Sequence, residues 1–189
     1  TLSLHDALPI YMVERVEPPQ AVTSAPVTSR NEQASLEIAV CLGMLLVYSR
    51  RTMLWIGTSG YNYPEWKGSF YPQTLPTAKM LPYYAARFPT VEINYTFYRS
   101  PTEKVLEGWS RTVPEHFAFT LKAPRRITHD ARLRDCGEAV RRFLDTAAVL
   151  GPKLGTLLFQ LPPNLKKDLD LFDRFLETFP PKVRAAFEF

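Results

Sequence analysis

The sequence predicts an α/β protein built on a parallel β-sheet, which we interpret as a TIM-type (β/α)8 barrel truncated after about four βα units plus a fifth strand. Three observations support this fold class: short apolar runs alternate with segments of helical period, the runs recur at similar intervals, and each run ends in polar residues. Such alternation gives a parallel sheet with right-handed crossovers, either doubly wound or closed into a barrel. A complete barrel needs about 250 residues, and the chain has 189.

Five short apolar runs predict the strands. Each is apolar on both faces, which is typical of a strand buried in a parallel sheet. No G-x-G-x-x-G motif follows the first run, so the sequence offers no signal for a dinucleotide-binding doubly wound sheet. The predicted strands are Leu54–Gly57, Thr90–Asn94, Phe117–Lys122, Thr156–Gln160 and Arg184–Phe189.

Four segments between these runs have helical spacing and recognisable ends. The first, Thr77–Phe88, contains Pro82, which we place in its first turn. The second begins at Ser100 as N-cap, with Pro101 in the first helical position and Glu103 completing a capping box. The other two are Cys136–Leu150, which stops at a Gly-Pro pair, and a helix opened by Asp168 and Asp170 and ended by Pro180-Pro181.

The first 52 residues differ in composition from the rest, because all 12 Phe and all 3 Trp lie from Met53 onward. Residues 1–10 resemble a translated sequencing adapter, and residues 11–52 are expected to be disordered or spurious. An apolar run, Ile38–Tyr48, is well short of the roughly 20 residues that span a bilayer. We therefore expect a non-domain leader over 1–52, a start near Met53, a partial barrel domain over 53–189, and no membrane association.

Charge and cysteine content exclude several classes of protein. The formal net charge of +4 is spread along the chain, which is weak support for nucleic-acid binding. Cys41 and Cys136 form no C-x-x-C motif and no cluster with histidine, so we expect neither a disulfide framework nor a metal site. The sequence indicates no cofactor and favours a reducing, cytoplasmic setting.

Polar residues close each predicted strand, where the active sites of β/α barrels lie. Glu92 and Asn94 alternate with apolar residues and so share a face. A buried carboxylate needs a partner, and for Glu92 and Glu188 we expect a cation, with Lys122 and Arg99 as candidates. The complete set of strand-end residues is Thr58, Ser59, Glu92, Asn94, Lys122, Gln160 and Glu188.

Two interpretations of these residues stay open. Either Glu92 and Lys122 form an ion pair that only fixes packing, or the strand ends line a polar ligand pocket. His129, in the loop after the third strand, is either a proton shuttle or a surface histidine. The aromatic loop Tyr61–Tyr71 either walls a pocket or plugs one end of the barrel.

Five ordered motifs, covering residues 53–189, resemble the YecE-like family, the domain of unknown function 72. They are TSGYNYPEWKGSFYP from Thr58, VEINYTFYR from Val91, KAPRRITH from Lys122, LGTLLFQLPPN from Leu154 and AFEF from Ala186. The resemblance implies a TIM-type barrel of about 250 residues whose strand ends carry these motifs, and a missing segment after Phe189. Tyr61 stands where the family often has Trp. The family supplies no reaction.

The leading hypothesis is an enzyme, a hydrolase, isomerase or lyase of unassigned reaction, that acts on a polar small molecule such as a sugar or phosphate ester. The expected catalytic residues are Glu92, Lys122, His129 and Glu188. The expected ligand-binding residues are Thr58, Ser59, Asn94, Tyr98, Arg99 and Gln160. The alternatives are a non-catalytic module that binds nucleic acid or a phosphorylated ligand through basic loops, and an inactive gene fragment.

Overall fold

A computed structural model describes the backbone of residues 9–15 and 52–189 and the side chains of residues 55–189. The chain divides into two compact units, Thr1–Tyr11 with Trp55–Phe189, and Met12–Leu54. In the second unit the described residues, 12–15 and 52–54, are strand residues. Most of the predicted leader lies outside the described residues, and the strand Pro9–Arg15 within it was not predicted.

The first unit contains a curled parallel sheet of five strands, a half-barrel in an α/β fold. The full strand order is β1-β2-β3-β4-β5-β6, and each pairing from β2 to β6 is parallel. All five predicted strands are present, and their ends differ from the predicted ones by at most two residues. The strands are β1 Pro9–Arg15, β2 Thr52–Ser59, β3 Thr90–Ile93, β4 Ala118–Lys122, β5 Leu154–Gln160 and β6 Ala185–Glu188.

The strand register separates two faces of the sheet. Val91 of β3 pairs with Phe119 of β4, and Phe159 of β5 pairs with Phe187 of β6. The first three of these side chains are fully buried, and the Phe159 and Phe187 rings stack 5.4 Å apart. Burial of this apolar face against the helices is the main favourable contribution to folding, and it leaves the opposite face to polar side chains.

Five α-helices lie among the described residues, and their bounds are α1 Met80–Ala85, α2 Tyr95–Tyr98, α3 Glu103–Thr112, α4 Gly137–Ala148 and α5 Leu169–Leu176. A 3-10 turn, Thr77–Lys79, leads into α1, and Pro82 lies in the first turn as predicted. Asp168 is the N-cap of α5, and its carboxylate accepts the Leu171 amide at 3.0 Å, which confirms the predicted cap. The short helix α2 and a π-helical turn, Arg126–Asp130, were not predicted.

The predicted start of α3 is wrong by two residues. Thr102, with extended backbone, is the N-cap, and its side chain makes no capping hydrogen bond. Ser100 and Pro101, the predicted N-cap and first helical residue, both precede the helix. Pro101 is buried outside the helix, and the Thr102 carbonyl accepts the first helical amides, those of Val105 and Leu106.

The aromatic loop Tyr61–Tyr71 is mainly a packing element. Trp66 and Tyr71 are buried at 0% and 1% exposure, and their rings lie 6.0 Å apart. The Tyr71 hydroxyl donates to the Tyr61 carbonyl, which fixes the two ends of the loop together. Phe70 packs against Tyr71 with ring centroids 4.7 Å apart. This geometry favours the interpretation in which the loop fills one end of the barrel over the one in which its rings wall a ligand pocket.

Candidate functional site

Polar side chains form a row across the sheet near the carboxyl ends of β2, β3 and β4. The register pairs Ser59 with Glu92 and Glu92 with Thr120, so the three residues lie on the same face. Lys122 is two positions beyond Thr120 and shares that face. On the other side of Lys122, β5 and β6 place Gln160 beside Glu188. We call this set the polar face.

Glu92 is held by a hydroxyl group and not by a cation. Its side chain is 7% exposed, and Oε1 accepts a hydrogen bond from Ser59 Oγ at 2.8 Å. Asn94 Nδ2 in turn donates to Ser59 Oγ at 2.7 Å. Among the residues described, Glu92 forms no ion pair, so the expected pair with Lys122 or Arg99 is wrong. A hydroxyl donor satisfies the carboxylate at a smaller desolvation cost than a second buried charge.

The backbone around Ser59 is fixed on both sides. The Gly60 amide donates to the Glu92 carbonyl at 2.9 Å, and the Tyr63 hydroxyl donates to the Ser59 carbonyl at 2.6 Å. Gly60 has φ +82°, a conformation that glycine adopts without steric cost. The Ser59 hydroxyl is therefore presented to Glu92 by a rigid turn.

Thr58 lies on the opposite face from Ser59, because neighbouring strand residues alternate. Its Oγ1 donates to the Gly60 carbonyl at 2.7 Å and lies 2.9 Å from the Tyr84 hydroxyl. The residue is 9% exposed. The structure thus separates Thr58 from the other residues predicted to bind a ligand.

Lys122 ends β4 with its ammonium group uncompensated. Nζ lies 5.5 Å from the centre of the Phe97 ring, and within residues 55–189 the structure gives it neither a hydrogen bond nor an ion pair. The Phe97 ring also meets His129 edge to face at 5.0 Å. Phe97 thus brings Lys122 and His129, two predicted catalytic residues, to one place.

His129 lies in the π-helical turn and is partly buried. Its Nδ1 is 2.9 Å from the Thr128 hydroxyl. Desolvation lowers the pKa of His129, and the charges of Arg125, Lys122 and Arg132 lower it further against the opposing effect of Asp130. The lowered pKa favours the neutral imidazole, which is the form that can accept a proton.

Glu188 also lacks the expected cation. Its Oε1 accepts a hydrogen bond from Gln160 Nε2 at 2.8 Å, and the residue is exposed at the end of β6. The amide donor replaces the predicted Lys122 or Arg99, because the register places Gln160 directly beside it.

Tyr98, the last residue of α2, and Arg99, directly after it, are both exposed. Tyr98 is 77% exposed, and its ring contacts Phe97 at 5.0 Å. Arg99 is exposed, and the described contacts do not link its side chain to the polar face.

Three residues of the site were missed by sequence reasoning. Thr120 lies beside Glu92, and its spacing of two from Lys122 is the same strand signal that identified Glu92 and Asn94. Thr96 Oγ1 contacts the Ile93 and Lys122 carbonyls at 2.9 and 2.6 Å and joins the ends of β3 and β4. No sequence signal indicates Phe97, because its contacts depend on how α2 packs.

Most of the arginines that could bind nucleic acid, in the loops and on α4, form ion pairs or hydrogen bonds within the protein. Arg125 pairs with Asp130 at 3.1 Å, and Arg132 donates to the Asn164 side chain and carbonyl. Arg141 and Arg142 both bind Glu138 on α4. These contacts weaken the case for an extended nucleic-acid surface.

The described residues contain no group of three or more His, Cys, Asp or Glu side chains arranged to bind a metal ion. None of the helices described is both long enough and apolar enough to span a membrane.

Comparisons with known proteins agree with the fold and identify the family. The family model described as "Protein of unknown function DUF72" matches residues 55–189. The chain is 31% identical over 137 residues to the UPF0759 protein YecE of Escherichia coli K12, covering 72% of this chain and 48% of that protein. It is 30% identical over 145 residues to the UPF0759 protein YunF of Bacillus subtilis, covering 72% and 50%.

Solved structures include a DUF72 family protein from Thermotoga maritima, which is 29% identical with a TM-score of 0.60 and covers 69% of this chain and 54% of that one. A DUF72 family protein from Enterococcus faecalis, 23% identical with a TM-score of 0.50, covers 58% of this chain and 47% of that one and supports the fold alone. The chain spans about half the length of the curated relatives it matches. On the family match over residues 55–189, this chain belongs to the DUF72 family.

Proposed function

We propose that the polar face is the active site of an enzyme that acts on a polar, negatively charged small molecule such as a sugar phosphate or another phosphate ester. One observation carries the proposal. Among the described residues, the nearly buried carboxylate of Glu92 is oriented by hydroxyl and amide groups alone, and Lys122 on the same face has neither a hydrogen bond nor an ion pair. A cation without a partner on the same face as a fixed carboxylate suits an anionic ligand that undergoes proton transfer.

Each residue then has a separate role in the proposed reaction. Ser59 occupies Glu92 Oε1, which leaves Oε2 to accept the proton of an attacking water or hydroxyl. Lys122 stabilises the negative charge of the ligand as that charge grows in the transition state. His129, whose lowered pKa favours the neutral imidazole, is the alternative proton acceptor, and Glu188 with Gln160 supplies a second carboxylate. Asn94 positions Ser59, and we assign ligand contacts to Tyr98 at the end of α2 and to Arg99 directly after it.

We further propose that the half-barrel belongs to a TIM-type barrel in the full-length proteins of the family. The parallel order, the curl of the sheet and the collection of polar residues at the carboxyl ends of its strands all support this fold. A cytoplasmic location is part of the same proposal, supported by the buried, unpaired Cys136 thiol.

Turnover of a panel of glycosides and phosphate esters tests the enzyme proposal. We expect the Glu92→Gln variant to lose at least about 100-fold in kcat/KM, the usual contribution of a general acid or base. The matched control is Glu65→Gln, because Glu65 is an exposed carboxylate in the neighbouring loop. Full activity of Glu92→Gln, or no turnover of any compound by the unmodified chain, would exclude this function.

A further inference from the structure

The short helix α2 carries three aromatic side chains at the carboxyl end of the sheet, and it is attached to the sheet by a different residue. That residue is Thr96, which is 0% exposed and whose Oγ1 contacts the Ile93 and Lys122 carbonyls at 2.9 and 2.6 Å. Because the small polar residue faces the strand ends, aromatic residues on either side of it are left outside. Tyr95 is 47% exposed and Tyr98 is 77% exposed.

The exposed ring of Tyr98 is continuous with the polar face through Phe97. The Tyr98 and Phe97 rings meet edge to face with centroids 5.0 Å apart, and Phe97 is half-buried. The Phe97 ring lies 5.0 Å from the His129 ring and 5.5 Å from Lys122 Nζ. We call Phe97 and Tyr98 the aromatic platform. A single exposed aromatic residue is ordinary, but adjoining exposed rings beside a candidate site indicate a binding surface.

The cation and the platform suit two parts of one ligand. Lys122 has neither a hydrogen bond nor an ion pair among the described residues, and a phosphate group would supply both. At 77% exposure the Tyr98 ring has an open face, on which a second flat ring can stack. Stacking of a base on an aromatic side chain raises affinity by about tenfold or more. A sugar has no π face and gains less from the same contact.

We propose that the ligand of the polar face is a phosphate monoester that carries a flat aromatic ring, with its phosphate at Lys122 and its ring stacked on Tyr98. This inference rests on the function proposed above and narrows it, because the sugar phosphates named there have no such ring. Nucleoside monophosphates and aryl phosphates share this chemistry. The cation selects the phosphate, and the aromatic platform selects what the phosphate is attached to.

The test compares ribose 5-phosphate, which has no aromatic ring, with AMP and phenyl phosphate, each titrated calorimetrically into the 189-residue chain. We expect the better of the two aromatic esters to bind at least about tenfold more tightly than ribose 5-phosphate. Its identity distinguishes a nucleotide from an aryl phosphate. If ribose 5-phosphate binds as tightly as both aromatic esters, this proposal is overturned and the proposed function stands. If none of the three compounds binds, both are overturned.

Variants of the exposed Tyr98 show whether its ring causes the preference. Tyr98→Leu should reduce the affinity for the aromatic ester to that for ribose 5-phosphate, whereas Tyr98→Phe, which keeps the ring, should retain the preference. Lys122→Met should weaken the aromatic ester and ribose 5-phosphate by similar factors, because both compounds carry the phosphate, and so preserve the ratio of their affinities. A preference that persists in Tyr98→Leu, or that is lost equally in Tyr98→Phe, would refute stacking on this ring.

Discussion

The Tyr84 hydroxyl joins strand β2 to strand β3 from helix α1. It accepts the Thr58 amide at 2.8 Å and donates to the Thr90 carbonyl at 3.0 Å, and the side chain is 0% exposed. This single hydroxyl satisfies two backbone groups that have no access to water. Because Thr58 directly precedes Ser59, the same contact helps to fix the position of the polar face.

The Tyr84→Phe variant should lose about 1–3 kcal/mol of unfolding free energy, because the Thr58 amide and Thr90 carbonyl are left unpaired in the core. Urea denaturation measures the loss. The matched control is Tyr83→Phe, whose hydroxyl makes no hydrogen bond among the described residues, and which should change stability by less than about 0.5 kcal/mol. Equal losses in the two variants would show that the hydroxyl network is unimportant.

Tyr84 also makes the free energy of unfolding depend on pH in the alkaline range. Burial raises its pKa from 10.0 to about 12, against a lowering effect of the hydrogen bonds with Thr58. Between these values the unfolded chain releases the proton while the native protein retains it, so the unfolding free energy falls as pH rises from 10 to 12. We expect a shallower fall in Tyr84→Phe, measured by urea denaturation at several pH values. Identical slopes would contradict this account.

The proximity of Lys122 to His129 is open to a direct test. Desolvation and the charge of Arg125 lower the pKa of His129, and Lys122 adds to the effect. The Lys122→Met variant should therefore raise the pKa of His129, measured by NMR titration of the imidazole. Lys104→Met on the exposed surface of α3 serves as control and should leave it unchanged. An unchanged His129 pKa in Lys122→Met would place the two side chains too far apart to act together.

At the scale of elements, the carboxyl end of α3 depends on a buried lysine that directly precedes β5. Lys153 is 5% exposed and donates to the Ser110 and Val113 carbonyls at 2.7 and 3.0 Å. These carbonyls lie at the end of the helix, where backbone acceptors lack intrahelical partners. Lys153 also pairs with Glu115 at 3.3 Å, but Glu115 is 92% exposed and solvent screens the pair.

The Lys153→Met variant should cost about 2–3 kcal/mol of unfolding free energy, because it removes charged hydrogen bonds to two carbonyls. Glu115→Gln should cost less than about 1 kcal/mol, since an exposed pair contributes little. Thermal denaturation of both variants provides the comparison. A larger effect of Glu115→Gln would mean that the ion pair, and not the helix end, is what Lys153 stabilises.

Some helix ends can be predicted from the local sequence, and others cannot. The Asp168 cap was predictable, because an acceptor side chain before an apolar helical run acts on its own backbone. The start of α3 was not, because the sequence signal indicated Ser100 as the N-cap and the observed N-cap is Thr102, which has no side-chain capping bond. The π-helical turn Arg126–Asp130 lay in a predicted loop, since no local pattern distinguishes its wider hydrogen bonding.

At the scale of the molecule, the sequence was sufficient to predict a parallel sheet with polar residues at one edge. Apolar runs identified Lys122 and Gln160 as the residues that end β4 and β5, and period-two alternation identified Glu92 as a residue of the polar face. The partners of the carboxylates were not predictable in the same way. Whether Glu92 meets Ser59 or Lys122 depends on the strand register and side-chain rotamers, which only the packed structure determines.

The central claim is that the polar face binds an anionic ligand through Lys122, which has no ion-pair partner among the described residues. The most direct test is calorimetric titration of the chain with glucose 6-phosphate, comparing the unmodified chain with Lys122→Met and with Lys104→Met. We expect a dissociation constant at least about tenfold larger for Lys122→Met, because a charged contact is lost, and no change for Lys104→Met. Equal dissociation constants for all three proteins, or no binding by the unmodified chain, would contradict the claim.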